Sequence, residues 1–112
     1  MKFYKNLYVS ESLEKKRDKI INKLVSAKYP FTVYVIVLIE EGENQLEFYS
    51  ASLFKQKIVS DDGIFVVGIA SGYDDAIYLV EKIAEDVYKK TGGLDMRSYI
   101  REQERQSLSV NA

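Results

Sequence analysis

The sequence predicts one domain of α+β or α/β class, built on a mixed four-stranded sheet with two long helices. Three observations predict it. Val33–Ile39 and Ile64–Ala70 are unbroken apolar runs, as expected of central strands buried on both faces. Gly72–Thr91 carries apolar residues at helical spacing. The elements fall in the order β-α-β-β-β-α, followed by a short C-terminal helix.

Phe3–Val9 reads as the first strand. Phe3, Leu7 and Val9 lie on one face, with Tyr4, Asn6 and Tyr8 on the other. Lys5 interrupts the pattern and points to an edge position. Ser10 or Ser12 then caps a helix expected to run to Lys28. Its apolar residues Leu13, Ile20, Ile21, Leu24, Val25 and Ala27 fit helical spacing only in the later turns. Tyr29, preceding Pro30, is biased away from helical angles. The first strand, this helix and the second strand, Phe31–Ile39, are compatible with a right-handed parallel crossover.

A polar turn, Glu40–Asn44, leads to Leu46–Ser50, whose alternation marks a hairpin partner with one wet face. Residues 51–59 are open between strand and helical turn. Asp61-Asp62-Gly63 marks a turn before Ile64–Ala70. The helix that follows has a predicted buried stripe of Tyr73, Ala76, Ile77, Val80, Ile83, Ala84 and Val87. Glu85–Lys89 and Asp86–Lys90 are i,i+4 pairs in the favoured order, and Gly92-Gly93 ends it. Asp95 caps the short last helix carrying Met96, Tyr99 and Ile100. The domain is assigned to 1–100, with 101–112 a polar, mobile tail.

Composition narrows the function. The 112 residues are enough for one domain, and 46% are hydrophobic. There is no cysteine and no histidine. Within one chain this excludes thiolate chemistry, Ser-His-Asp and Cys-His catalysis, and structural zinc of the Cys/His type. The opening Met1–Asn6 is not followed by the apolar core of a signal peptide. The longest apolar run, Val33–Ile39, has seven residues, far short of the about 20 that span a bilayer. A cytoplasmic protein is expected, with no membrane association and no cofactor.

Net charge is −1, but its distribution is uneven. Residues 10–28 hold six Lys/Arg against three acids, and residues 40–62 hold six acids against two lysines. Two oppositely charged solvated surfaces account for this.

Four constellations are candidates for function. Gly68-Ile69-Ala70-Ser71-Gly72 joins a buried strand to a helix N-terminus, a place where anions bind. It lacks both dinucleotide-binding and P-loop patterns, and Ser71-Gly72-Tyr73-Asp74 matches a capping box. If the first and last strands are parallel neighbours, Ser10 and Ser71 share one sheet end, where open α/β sheets take ligands. Ser10, Ser71 and Gly72 are therefore the candidate ligand site.

The acid pairs Asp61-Asp62 and Asp74-Asp75 bracket a strand about 23 Å long, so they cannot share a metal ion, and no metal site is assigned.

Leu94–Ile100 read as a strand would permit a ferredoxin-like fold. Asp62–Ile69 resembles the second RNA-contact motif of RNA-recognition domains in outline. An acid, Asp62, stands at the basic position, and Ile64, Val66 and Ile69 replace the stacking aromatics, so nucleic acid is not the expected partner.

The nine tyrosines are the last signal. Tyr4, Tyr8, Tyr49 and Tyr78 fall off the predicted core stripes and are the candidate interface residues.

Val66–Ala76, Tyr88–Gly93 and Phe3–Ser10 resemble small uncharacterised bacterial α/β proteins. That resemblance implies no activity. The residues favour a non-enzymatic protein-interaction domain, homodimeric or with another protein partner. A bare second sheet face, if both long helices pack on one side, would be the reason to dimerise. The alternative is a small-ligand or anion-binding regulatory module at Ser10 and Ser71-Gly72.

Overall fold

A computed structural model describes residues 1–110. The elements are β1 (Lys2–Val9), a 3₁₀ helix (Glu11–Lys16), α1 (Arg17–Val25), β2 (Val33–Leu38), β3 (Leu46–Ser50), α2 (Ser52–Lys55), β4 (Phe65–Ser71), α3 (Tyr73–Thr91) and α4 (Met96–Val110). The sheet order is β1-β4-β2-β3, so the two unbroken apolar runs occupy its centre as expected. β1 and β4 are parallel, while β4–β2 and β2–β3 are antiparallel. The result is one compact α+β domain around a mixed four-stranded sheet.

The expected parallel crossover from the first strand to the second does not form. β4 lies between β1 and β2, and β2 runs opposite to both. The parallel pair is made instead by β1 and β4, which are far apart in the chain. A local pattern cannot choose between these arrangements.

The two long helical segments lie on opposite faces. Ala76, Leu79, Ile83 and Val87 of α3, with Ile100 of α4, pack on Tyr4, Ile36, Leu38, Val67 and Ala70. Leu13, Ile20 and Leu24, with Ala51 and Phe54, pack on Val33, Val35, Val37, Val66 and Ile69. Both faces of the central strands are therefore covered within one chain, and the bare face that would have required a dimer is absent. Gly68 lets α3 approach closely: a Cβ there would stand 3.2 Å from both Ile36 Cδ1 and Leu79 Cδ2.

Local departures have local causes. The first helix begins as a 3₁₀ segment and becomes α-helical only at Arg17. Lys16 and Arg17 stand where the core-facing stripe would need apolar residues, so the early turns have little to bury. α1 stops at Val25, before the effect of Pro30 is felt. Ala27 adopts φ +59°, Lys28 N–H donates to Lys23 O (2.8 Å) and Ala27 N–H to Leu24 O (3.2 Å). This is a Schellman ending with alanine in the left-handed position. Residues 51–59 contain the short helix α2 rather than a strand.

In α3, Leu79 joins the buried stripe, while Tyr73 is 57% exposed rather than buried. The Glu85–Lys89 and Asp86–Lys90 pairs form, and Gly92 ends the helix at φ +77°.

The largest departure is at the C-terminus. Asp95 caps the last helix as expected, accepting from Ser98 N–H at 3.0 Å. That helix does not stop near Ile100 but continues to Val110, so the expected boundary at residue 100 falls inside it. Residues 111–112 of the expected tail lie outside the described residues. The same helix excludes a strand at Leu94–Ile100, and with it the ferredoxin-like alternative.

Candidate functional site

Strand β3 occupies one edge of the sheet, and its backbone is held at both ends. Before it, Arg97 of α4 reaches back to the turn: Nε donates to Ile39 O (2.7 Å), and Nη2 to Gly42 O (2.9 Å) and Asn44 O (3.3 Å). Gln45 completes this clamp, donating to Leu94 O (3.0 Å) and accepting from Arg97 N–H (2.9 Å). After β3, Ser50 Oγ donates to Phe31 O (3.2 Å) and accepts from Ser52 N–H (3.2 Å).

The pairing with β2 is regular through five positions, from Tyr34↔Ser50 to Leu38↔Leu46. Its phase follows from the flanking bonds: Ile39 N–H to Gln45 O and Ala51 N–H to Val33 O, both 2.8 Å. Odd-numbered residues of β3 therefore turn their backbone groups to β2. Leu46, Phe48 and Ser50 turn theirs outward. Among the described residues, no strand pairs with that outer side.

Aromatic rings flank this edge on both faces. Phe48 lies 5.5 Å from the Tyr73 ring and 6.4 Å from Tyr34, and Tyr34 and Tyr73 meet edge to face at 6.2 Å. On the other face Tyr49 packs edge to face on Phe54 at 5.5 Å. Half-burial of Tyr49 raises its phenol pKa above the ordinary value.

The four tyrosines singled out in the sequence separate. Tyr4 is only 2% exposed and belongs to the core, so it offers no interface surface. Alternation places Tyr4 on the face opposite Phe3, and the helices covering that face bury it. Tyr8 is half-buried, and its hydroxyl donates to Asp86 Oδ2 at 2.6 Å. Tyr78 is exposed on α3. Tyr49 alone lies on the open edge strand.

Tyr8, Asp86, Lys90 and Tyr99 form a polar cluster on the α3 side. Lys90 Nζ donates to Asp86 at 3.3 Å and sits 5.8 Å over the Tyr99 ring. The electrostatics favour a neutral Tyr8 hydroxyl beside an ionised Asp86. Burial, then the bond to Asp86, pushes the Tyr8 phenol far above its ordinary pKa, away from a nucleophile. The same bond holds the Asp86 carboxyl below its ordinary value, away from a general base at neutral pH.

The serine site is partly assembled. β1 and β4 end side by side, with Ser10 N–H donating to Ile69 O at 3.0 Å. Ser10 is 6% exposed, and its hydroxyl stands 3.5 Å from Ser12, which donates to Asp75 at 3.1 Å. Gly72 (φ +89°) is the N-cap of α3, with no side-chain cap, so the expected Ser71–Asp74 capping box does not form. Gly72 N–H is already bonded to Thr32 O at 2.9 Å.

A cavity of about 380 Å³ opens at the opposite sheet end, lined by Met1, Leu38, Ile64, Phe65 and Leu108. Its arginines are each tied to a glutamate, Arg101 to Glu40 and Arg105 to Glu102. Among the described residues, no three acidic side chains converge as a metal site, and no helix is long and apolar enough to cross a membrane.

Sequence reasoning missed the Arg97 and Gln45 clamp. The residues it joins are more than 45 positions apart, and neither carries a local motif.

No family model, no curated protein and no solved structure matches the chain.

Proposed function

We propose that the chain is a non-enzymatic interaction domain that self-associates, in a cytoplasmic setting, through the outer edge of β3. The observation that carries this is the edge itself: a regular strand, clamped at both ends, with three residues' backbone groups directed outward. Such an edge is a template for another strand. Fixing it in advance lowers the ordering cost of binding. Aromatic rings on both faces supply apolar area beside the backbone bonds. The absence of histidine and cysteine, and the direction of the Tyr8 and Asp86 shifts, support a role without catalysis.

Light scattering across a concentration series tests this. A rise from monomer to dimer mass is expected. A monomer at every accessible concentration overturns self-association.

The second reading is a small anion held at Ser10 and Ser71-Gly72. It is favoured by the meeting of the β1 and β4 ends. It is opposed by the engaged Gly72 N–H and by Asp74 and Asp75 at the same helix start. Thermal shift with phosphate and sulfate tests it: stabilisation lost in Ser71→Ala supports it, and no stabilisation of the unaltered protein removes it.

A further inference from the structure

We infer that the partner of the β3 edge is a second copy of the same strand, antiparallel, with the two-fold axis passing through Phe48. This rests on the interaction reading above and fixes its geometry.

The direction of the backbone groups selects the register. Leu46, Phe48 and Ser50 point outward, so they must be the hydrogen-bonded positions of any added antiparallel strand. Centred on Phe48, all three engage: Phe48 opposes Phe48 of the second copy, and Leu46 and Ser50 oppose each other twice. Centred on Glu47, only Leu46 and Phe48 find partners. One register therefore satisfies every outward group, and shifting it by one residue strands some of them.

Side chains favour the same choice. Centred on Glu47, two exposed carboxylates would face each other, which is destabilising. Centred on Phe48, each Glu47 stands opposite Tyr49, whose phenol is protonated at neutral pH and can donate to a carboxylate. The two Phe48 rings meet on the axis. With Tyr34 and Tyr73 of each copy they form a continuous aromatic strip.

The ends of the strand agree as well. The turn before β3 carries exposed Glu41 and Glu43 beside Glu40, which Arg101 pairs, and Lys55 and Lys57 follow the strand. Antiparallel pairing brings the acidic end of each strand towards the basic end of the other, whereas parallel pairing would bring like charges together. A two-fold axis through a hydrogen-bonded pair is perpendicular to the sheet. The two sheets would join into one of eight strands, with the α3 layers of both copies on the same side.

The chain has no cysteine, so introduced thiols report position without background. Glu47 and Tyr49 of the second copy form a non-hydrogen-bonded pair, the closer kind, at a separation a disulfide can bridge. Glu47→Cys and Tyr49→Cys proteins are mixed and oxidised. The mixture is expected to give a covalent heterodimer as its main product, at least tenfold more than either variant alone. Should Tyr49→Cys fail to fold, hydrogen exchange on the unaltered protein serves instead. The amides of Leu46, Phe48 and Ser50 should gain protection as concentration rises, while those of Glu47 and Tyr49 stay constant.

Efficient cross-linking of Glu47→Cys with itself overturns the Phe48 register. A dimer by light scattering with no cross-link, and no concentration-dependent protection at these three amides, places the interface elsewhere. It then overturns this inference and leaves self-association standing. A monomer throughout overturns both.

Discussion

β1 loses its register with β4 between Phe3↔Val66 and Tyr8↔Gly68, where four residues of β1 stand against one of β4. Tyr4 is buried under the helices on its face of the sheet, and the amide of Lys5 donates to Glu104 of α4 at 3.1 Å. Lys2 and Lys5 are exposed along it. The opposite edge, β3, keeps all five pairs with β2 in register, carries one exposed charge, Glu47, and has no cover among the described residues. Bulges, lysines and covering elements are the usual means of stopping a strand edge from pairing. One edge has all three, while the other is a five-residue strand with the single exposed charge of Glu47. The difference predicts that variants at the two edges fail in different ways: at β1 the fold weakens, and at β3 association weakens.

The largest effect is expected from removing the anchor of the helix that covers β1. Ile100 is fully buried between α4 and the sheet. Ile100→Ala should cost about 2–5 kcal/mol in urea denaturation, as for other large-to-small core changes. An effect below about 0.5 kcal/mol, the range of ordinary surface substitutions, would mean that α4 is no part of the core.

Next is Phe48→Lys, which in the proposed dimer places two like charges on the two-fold axis. It should raise the dimer dissociation constant about 100-fold, equivalent to roughly 2.7 kcal/mol, with the monomer's fold retained. Dissociation together with unfolding would instead make Phe48 a structural residue and dissolve the contrast between the edges.

Tyr8→Phe tests the bulged edge from inside. Losing the bond to Asp86 should cost about 1 kcal/mol at neutral pH, after allowance for the half-exposed site. The pH dependence has a definite sign. The folded-state pKa of Asp86 is depressed, first by Tyr8 and then by Lys90. Its contribution is therefore complete above the ordinary Asp value of about 3.9 and is lost as pH falls through the depressed value. The gap between Tyr8→Phe and the unaltered protein should narrow on acidification, and a gap that stays constant with pH would assign the effect to packing.

The smallest effect is at Glu104. Glu104→Ala frees the Lys5 amide to water and should cost at most about 0.5 kcal/mol. Its value is in exchange rates: the Lys5 amide should exchange faster, while those of β3 are unaffected.

Much of this fold was legible in the chain. Two unbroken apolar runs named the central strands, helical spacing located α3 almost to the residue, and the alternation of Leu46–Ser50 identified β3 as a strand, though only Glu47 of its expected wet face is exposed. These are local patterns, because burial on one or both faces is written in side-chain periodicity. The site was less legible. Tyr49 was singled out, but so were Tyr4, which α3 and α4 cover, and Tyr8, which Asp86 engages. The Arg97 clamp had no sequence signal at all.

By itself, then, the sequence determined the four strands, the helix α3 and the two strands buried on both sides, and it supplies no cysteine or histidine. The tertiary structure alone decided that β1 joins β4 rather than β2, that α1 and α3 cover opposite faces, and that residues beyond Ile100 extend a helix over the β1 edge. The physical reason is the same in each case. Periodicity states that a face or an edge needs a partner, but which partner it meets depends on contacts between residues tens of positions apart. It was those contacts that covered both sheet faces and left the edge of β3 as the surface on which the proposed self-association rests.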